Sequence, residues 1–556
     1  MTEEIEKEAY ILALQNAILH GGKAEPRSVL GRIMARFRNT EAQSALKVVS
    51  SAVDLVNSRS IEEQRKELFR LAPELLVKEK KERIRQLREL EGAGPGFTVR
   101  LAPYPSGALH IGNSRMIILN DEYAKKYRGK LFLVFDDTIG SEEKLPQLES
   151  YTLIREGLEW LGVRWDAEYY KSDRLEIFYA WALRLIRQGI AYVCLCSSEE
   201  LRKRREEGVA CSHRDQTAEE NEKLWGKMLS GEFSEGDAVL RAKTDIAHRN
   251  PAFRDRVLCR MSDRAHPRVG TKYRVWPMLE FSWAVDDIEL GMTHVIRGKD
   301  LYMEDLMEKF IWDRLGIKGP RFEHFGLLRI SGVKISKSKS MSEVMSGAFS
   351  GWDDPRTWSL QSLRARGIRP EAIRSFILNF GMSLNDITVP VDSLYSENRK
   401  LIERDAARYY FVDSPVHIRI EGVPQVDFVE SMIHPDYPER GKRRIEVDGS
   451  VYISSSDAES LDGSEIRLKD YCNIKLQGRT GIFAGRENRE LPRIQWVTAR
   501  TAVPCEIIMP DGSRRTGVAE PSVRNIRGGA PVQFERFGYV NLREKGERML
   551  FYYTHD

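Results

Sequence analysis

The stretch PYPSGALHIGNSR (Pro103–Arg115) gathers two prolines, two glycines, a histidine and an asparagine directly behind the apolar run FTVRLA. That pattern predicts a strand, a bend that needs glycine's backbone freedom, and a helix opening near Gly112 and carried by MIILNDEYAKKY. A helix N-terminus beside small residues is a phosphate site, and His110 is placed there to donate to phosphate oxygens. A second stretch, KISKS (Lys334–Ser338), reads as a mobile loop. Its Lys337, and with less weight Lys334, would act as point charges on a leaving pyrophosphate. Each segment alone also reads as an ordinary turn or a solvated basic loop. Together, in this order across an α/β region, they point to nucleotide chemistry.

Other residues suit different chemistry. Arg100 and Arg297 (in HVIRGKDL) stand at predicted strand exits, and arginine pairs with a carboxylate bidentately. Cys194 and Cys196 alternate on the predicted strand AYVCLCSS, so both thiols face one side, and Cys211 and His213 repeat the spacing after a charged helical link. Cys-x-Cys…Cys-x-His suits tetrahedral zinc, although two buried cysteines beside an unrelated pair is the plainer alternative. Cys259, Cys472 and Cys505 read as lone core cysteines.

The elements that must hold these residues change along the chain. Residues 1–93 have helical periodicity, end in GAGPG and include a basic run from Lys78 to Arg88 that reads either as a solvated face or as a phosphate contact. From Phe97, short buried strands (FTVRLA, KLFLVFDD) flank a helix, a βαβ unit that implies a parallel sheet. Helices are expected at Glu149–Leu161 and Arg174–Gln188, while Gly231–Val269 resists assignment. A helical zone runs from Asp354 to about Ala407. Beyond it, short alternating stretches between Gly, Asp and Pro predict β-barrels or sandwiches. The domain reading is 1–93 helical, 94–193 and 270–345 the two halves of an α/β domain, 194–269 an insertion, 346–403 a helical connection and 404–556 all-β.

Composition sets limits. The 556 residues exceed one core, so about two to four domains are expected. With 87 Lys+Arg against 83 Asp+Glu the net charge is +4, and binding to a phosphate backbone would require local basic patches. No apolar run approaches the ~20 residues that span a bilayer, and the acidic start MTEEIEKEAY lacks a secretory pattern. Six cysteines in so long a chain suggest a reducing cytoplasm.

HIGN and KISKS resemble the two signature motifs of class I aminoacyl-tRNA synthetases. FTVRLAPYPSGALHIGNSR, YAKKYRGKLFLVFDDT, AVDDIELGMTHVIRGKD, SGWDDPRTWSLQSLRARGIRPEAI and LYSENRKLIERDAARYYFV together resemble the archaeal glutamyl branch. The resemblance implies a Rossmann-type parallel-sheet catalytic domain with an inserted acceptor-binding domain, helical N-terminal and connecting domains, and C-terminal β-barrels that bind the anticodon. It implies ATP with Mg²⁺, L-glutamate, and tRNA(Glu) as partner, with tRNA(Gln) as a second candidate acceptor. It places Pro103, Ser106, Gly107, His110, Gly112, Asn113, Leu328, Ile335, Ser336 and Lys337 at ATP, and Arg100, Asp136 and Arg297 at the amino acid. Asp136 would take the ammonium group, Arg297 would favour glutamate over glutamine, and Asp137 would support the loop. Structural zinc on Cys194, Cys196, Cys211 and His213 also fits the family. Competing readings are a glutaminyl-tRNA synthetase, which Arg297 argues against, and a catalytically silent RNA-binding paralogue, which His110 with Lys337 argues against. Three departures stand out: Asn113 replaces the second histidine, Ile139 stands where an acidic residue or asparagine is expected, and Leu279 stands where a tyrosine is expected. GSRRTG and RNIRGG are candidate anticodon contacts, equally readable as solvated turns.

Overall fold

Five short parallel strands carry the middle of the chain: β1 (Thr98–Leu101), β2 (Lys130–Phe135), β3 (Ala167–Tyr170), β4 (His294–Gly298) and β5 (Arg321–Phe325). This computed structural model describes all residues except 1, 20–21, 38–41, 73–86, 140–144 and 334–336. Most of the basic run Lys78–Arg88 and the loop residues Lys334, Ile335 and Ser336 therefore lie outside the described residues.

β1 pairs with β2 and β2 with β3, while β4 pairs with β5. Thr293 joins the two pieces, donating from its amide to the Thr98 carbonyl at 3.0 Å and accepting the Thr98 amide at its hydroxyl at 2.9 Å. The spatial order is thus β5-β4-β1-β2-β3. The chain starts in the centre and builds first to one side and later to the other, which leaves a crevice at the carboxyl ends between β1 and β4. All four residues of β1 are buried, as a central strand covered on both faces requires.

Helix α1 (Ser114–Lys126) crosses from β1 to β2 and buries Ile117, Ile118 and Leu119. Helix α2 (Leu279–Glu289) precedes β4, and α3 (Tyr302–Leu315) links β4 to β5. Between β3 and α2 lies a separate antiparallel sheet of four strands, Ala191–Cys194, Val239–Ala242, Val257–Met261 and Val275–Pro277. The stretch that resisted assignment is therefore two of its strands, whose apolar residues Leu240, Ala242, Leu258 and Met261 are buried. Within the expected helical zone, helices occupy Leu360–Ala365, Pro370–Leu378 and Asp392–Ile402, but Ile387–Pro390 is a strand paired with Leu328–Ser331. The β-branched run ITV explains that departure.

The tail forms two seven-stranded sheets, one from Pro415–Thr498 and one from Ala407–Asp413 with Val503–His555. The second docks on the helical connection: buried Arg366 donates to the carbonyls of Tyr553 (3.0 Å) and Thr554 (2.8 Å). Asp353 forms an ion pair with Arg543 of the same sheet.

The helices Thr2–Leu19, Pro26–Arg36, Ala42–Asn57 and Ile61–Leu71 form a compact unit of their own, with Leu12, Val29, Ile33, Val49, Val53 and Leu68 in its core. Ser60 and Glu63 close a reciprocal cap on the last of them. Among the described residues no helix is long and apolar enough to cross a membrane.

Candidate active site

The loop after β1 reaches His110, which opens a short 3₁₀ turn (Ile111–Asn113) leading into α1. The Gly112 amide donates to His110 Nδ1 at 3.1 Å, so in the neutral ring the proton sits on Nε2. Asn113, in place of a second histidine, accepts the His110 amide at 3.1 Å. A side chain at position 112 would meet the imidazole at 2.9 Å, so a glycine here lets His110 fold back over the turn. The loop is pinned to a second segment by Ile111 N to Trp358 O (3.2 Å) and Leu360 N to Leu109 O (2.8 Å).

The segment leading to KISKS meets this loop from the other side. Arg115, buried at the start of α1, donates to the carbonyls of Gly326 (2.6 Å) and Gly381 (3.0 Å). It thereby fastens the chain just ahead of Leu328 to the helix that follows HIGN. Helix α4 (Lys337–Met345) starts at Lys337, whose side chain lies outside the described ones. Its Met341 and Val344 pack with Ala108, Leu153 and Trp352. Gly107, at φ +142°, lies against Trp352 so closely that a Cβ would stand 2.5 Å from the indole. Helix α4 thus packs against the loop that carries His110.

At the carboxyl ends of the strands lies a buried charged cluster. Arg100 on β1 is held by Asp287 of α2 through Nε and through Nη2 (2.8 Å). Burial works against its charge, but Asp287 outweighs that and holds the guanidinium pKa above its ordinary value. Arg297 on β4 bonds to Asp305 (2.9 Å from Nε) and to Glu308 (2.7 Å from Nη2), both on α3. Its Nη1 is buried with no hydrogen-bond partner. Burial pushes the Glu308 carboxyl up to about 8 against the pull of Arg297. His324 Nε2 lies 2.8 Å from Asp305. Trp283 of α2 sits among the cations, its ring 5.0 Å from the Arg100 guanidinium, 4.8 Å from that of Arg297 and 5.3 Å from Lys171 Nζ.

Asp136 and Asp137 follow β2 and are both buried. Asp137 accepts from Tyr151 OH (2.9 Å), Ser172 N (2.8 Å) and Ser172 Oγ (2.7 Å), a set that fixes the loop. Asp136 faces a residue that the sequence did not single out: Lys171, at the end of β3, lies 2.9 Å from its Oδ1. Ile139 is buried in the core of the inserted sheet, and Leu279 begins α2.

Family models match the chain in three segments between residues 97 and 543. The catalytic domain of class I tRNA synthetases (E and Q) matches residues 97–404, and two anticodon-binding domains of the same family match 406–487 and 493–543. The chain belongs to the class I tRNA synthetases of the E and Q type. It is 42% identical to a glutamate–tRNA ligase of Methanothermobacter thermautotrophicus over 558 residues, covering 99% of both chains. It is also 42% identical to those of Pyrococcus furiosus (99% of this chain, 100% of the relative) and Thermococcus kodakarensis (100% of both).

In the insertion of this synthetase, Cys194 ends a strand while Cys196 lies just beyond it, so the turn and not strand alternation brings the two together. Cys194, Cys196, Cys211 and His213 have ligand atoms all within 4.8 Å of one another. Cys194 Sγ and Cys211 Sγ are 3.8 Å apart and Cys196 Sγ is 3.6 Å from His213 Nδ1. Zn–S bonds of about 2.3 Å at tetrahedral angles put sulfurs about 3.8 Å apart, so the set fits zinc. Arg241, buried beneath, reaches Cys194 Sγ (3.8 Å) and Cys211 Sγ (3.9 Å) and offsets thiolate charge. Burial pushes the thiols of Cys472 and Cys505 up to about 12, and that of Cys259 well above its ordinary value. A second grouping, Glu403, His434 and Asp436, is centred on Arg408, whose Nη2 lies 2.8 Å from Glu403 and 3.2 Å from Asp436.

Sequence reasoning missed Lys171, Trp283, Asp287, Asp305, Glu308, Arg115 and Arg241. A signal was available for one: the acidic pair in the apolar helix AVDDIE announces buried carboxylates, which need cations.

Proposed function

We propose that this synthetase ligates L-glutamate to tRNA(Glu), with tRNA(Gln) as a second acceptor to be tested. In the first step the α-carboxylate oxygen of glutamate attacks the α-phosphorus of ATP, and the bond to the departing pyrophosphate breaks. In the second, a hydroxyl of the terminal adenosine of tRNA attacks the acyl carbon, and AMP leaves. Little covalent chemistry is asked of the protein, so positioning and charge neutralisation supply the rate. His110 donates from Nε2 to phosphate oxygens beside Pro103, Ser106, Gly107 and Asn113. Lys337 and Lys334 neutralise the leaving pyrophosphate, with Ile335, Ser336 and Leu328 alongside. ATP arrives with Mg²⁺, which keeps several waters.

Arg100 and Arg297 receive the carboxylates. Asp287, Asp305 and Glu308 fix both guanidinium planes in advance, and the unpartnered Nη1 of Arg297 is the donor left for a carboxylate. Asp136 takes the ammonium. Zn²⁺ on Cys194, Cys196, Cys211 and His213 would clamp the end of the insertion's first strand to the turn that follows its charged helix. The tail binds the anticodon, and the cytoplasm is the compartment of this work.

The observation that carries the reading is the packing of α4, which begins at Lys337, against Ala108 of the His110 loop, with two buried, pre-oriented arginines on β1 and β4. Pyrophosphate exchange into ATP tests it: glutamate should support exchange and glutamine should not, each assayed with and without tRNA. Exchange with glutamine alone would reverse the role given to Arg297, and no exchange with either would leave a silent RNA-binding protein.

A further inference from the structure

Lys171 is the least expected group in the pocket. Its side chain is fully buried, and its ammonium has two polar neighbours, Ser282 Oγ at 2.6 Å and Asp136 Oδ1 at 2.9 Å. The approach to Oδ1 lies off the direction a hydrogen bond requires, so this oxygen remains a buried acceptor without a hydrogen-bond donor. The carboxylate is thus neutralised yet unsatisfied. A buried acceptor left in that condition costs free energy until a donor arrives.

Other charged groups frame the pair from each neighbouring element. Arg100 on β1 and Tyr104 in the following loop both feel the Asp136 charge, and Asp137 adjoins it in sequence. On α2, Asp286 feels Lys171 and is bonded by Arg174 at 2.8 Å. Arg100 and Arg174 are already engaged by Asp287 and Asp286. Lys171 is therefore the cation in contact with Asp136 among the described residues.

We propose that Lys171 is a positioning residue of the amino-acid pocket: its ammonium holds the Asp136 carboxylate turned to receive the α-ammonium group of the substrate. This rests on the reading that Asp136 takes that ammonium group. Lys171 does not touch the substrate; it acts through Asp136. Without that contact the carboxylate is no longer held in place, and the ammonium group meets an acceptor that has lost its orientation.

The test is glutamate-dependent pyrophosphate exchange with Lys171→Met, Asp136→Asn and the double variant, which removes both charges while keeping both shapes. Lys171→Met should raise the glutamate KM roughly 10- to 100-fold, with the ATP KM and the circular dichroism unchanged. Asp136→Asn should raise the glutamate KM as well, and adding Lys171→Met should change it no further. A normal glutamate KM for Lys171→Met, while Asp136→Asn is impaired, would overturn the role of Lys171 alone. A normal KM for Asp136→Asn would overturn the assignment of the ammonium site and, with it, this proposal. A loss in Lys171→Met that adds to that of Asp136→Asn would show a merely structural lysine.

Discussion

Replacing Gly107 with alanine should cripple ATP use while leaving the fold intact. The added Cβ would lie 2.5 Å and 2.7 Å from two carbons of the Trp352 indole. Carbon atoms in contact settle at about 3.5–4.0 Å, so loop or indole must retreat by about 1 Å. Trp352 is buried against Ala108, Leu153, Met341 and Val344, so its retreat disturbs α4 as well. Overpacking of this kind costs about 1–3 kcal/mol. The backbone adds a second charge, since φ at this glycine is +142°, a region that strains a side-chain-bearing residue by about 1–3 kcal/mol. The lower ends sum to about 2 kcal/mol, a roughly 30-fold loss if it falls on the ATP-bound loop. The assay is the KM for ATP in glutamate-dependent pyrophosphate exchange, with melting temperature as control. Adding Trp352→Leu should recover the overpacking part and none of the backbone part. An alanine variant with unchanged KM and unchanged melting would refute the contact between the ATP loop and Trp352.

Two further outcomes follow from the structure. His555 is buried, accepts from Asn398 Nδ2 at 2.9 Å through Nε2 and donates through Nδ1 to the Asp556 carbonyl at 2.8 Å, and burial lowers its pKa to about 4. The folded state then binds fewer protons than the unfolded one between about pH 6.5 and 4. Stability is complete above that window and falls by about 3 kcal/mol by pH 4. Unfolding curves of His555→Gln should lack that component, and parallel pH dependence in both proteins would exclude it. Cys211→Ser should drop bound zinc from about one per chain to near none and lower the melting temperature; metal analysis decides, and retained zinc would exclude this thiol as a ligand.

What could be read from the sequence was local. A bend with two glycines before a helix, short strands separated by turn residues, and a repeated Cys-x-Cys or Cys-x-His spacing all have causes within a dozen residues. The partner of Arg100 does not. Arg100 and Asp287 stand 187 positions apart, and only the strand order brings them together. The carboxylates that hold Arg100 and Arg297 in place, Asp287 on α2 and Asp305 and Glu308 on α3, were not read from the sequence. Lys171 was invisible for a related reason: in EYYKSDR it looks like any solvated lysine, and its burial depends on α2 closing over it. The strand Ile387–Pro390 was hidden by the helices around it, because four residues carry too little periodicity to compete.

The segment Trp352–Arg356 is held at both ends. At one end its indole bears on the loop ahead of His110 through Gly107; at the other, Asp353 pairs with Arg543 and Arg356 crowds Gly512, a strand residue and a turn residue of the second seven-stranded sheet. Five residues thus tie that loop to the sheet built from Val503–His555.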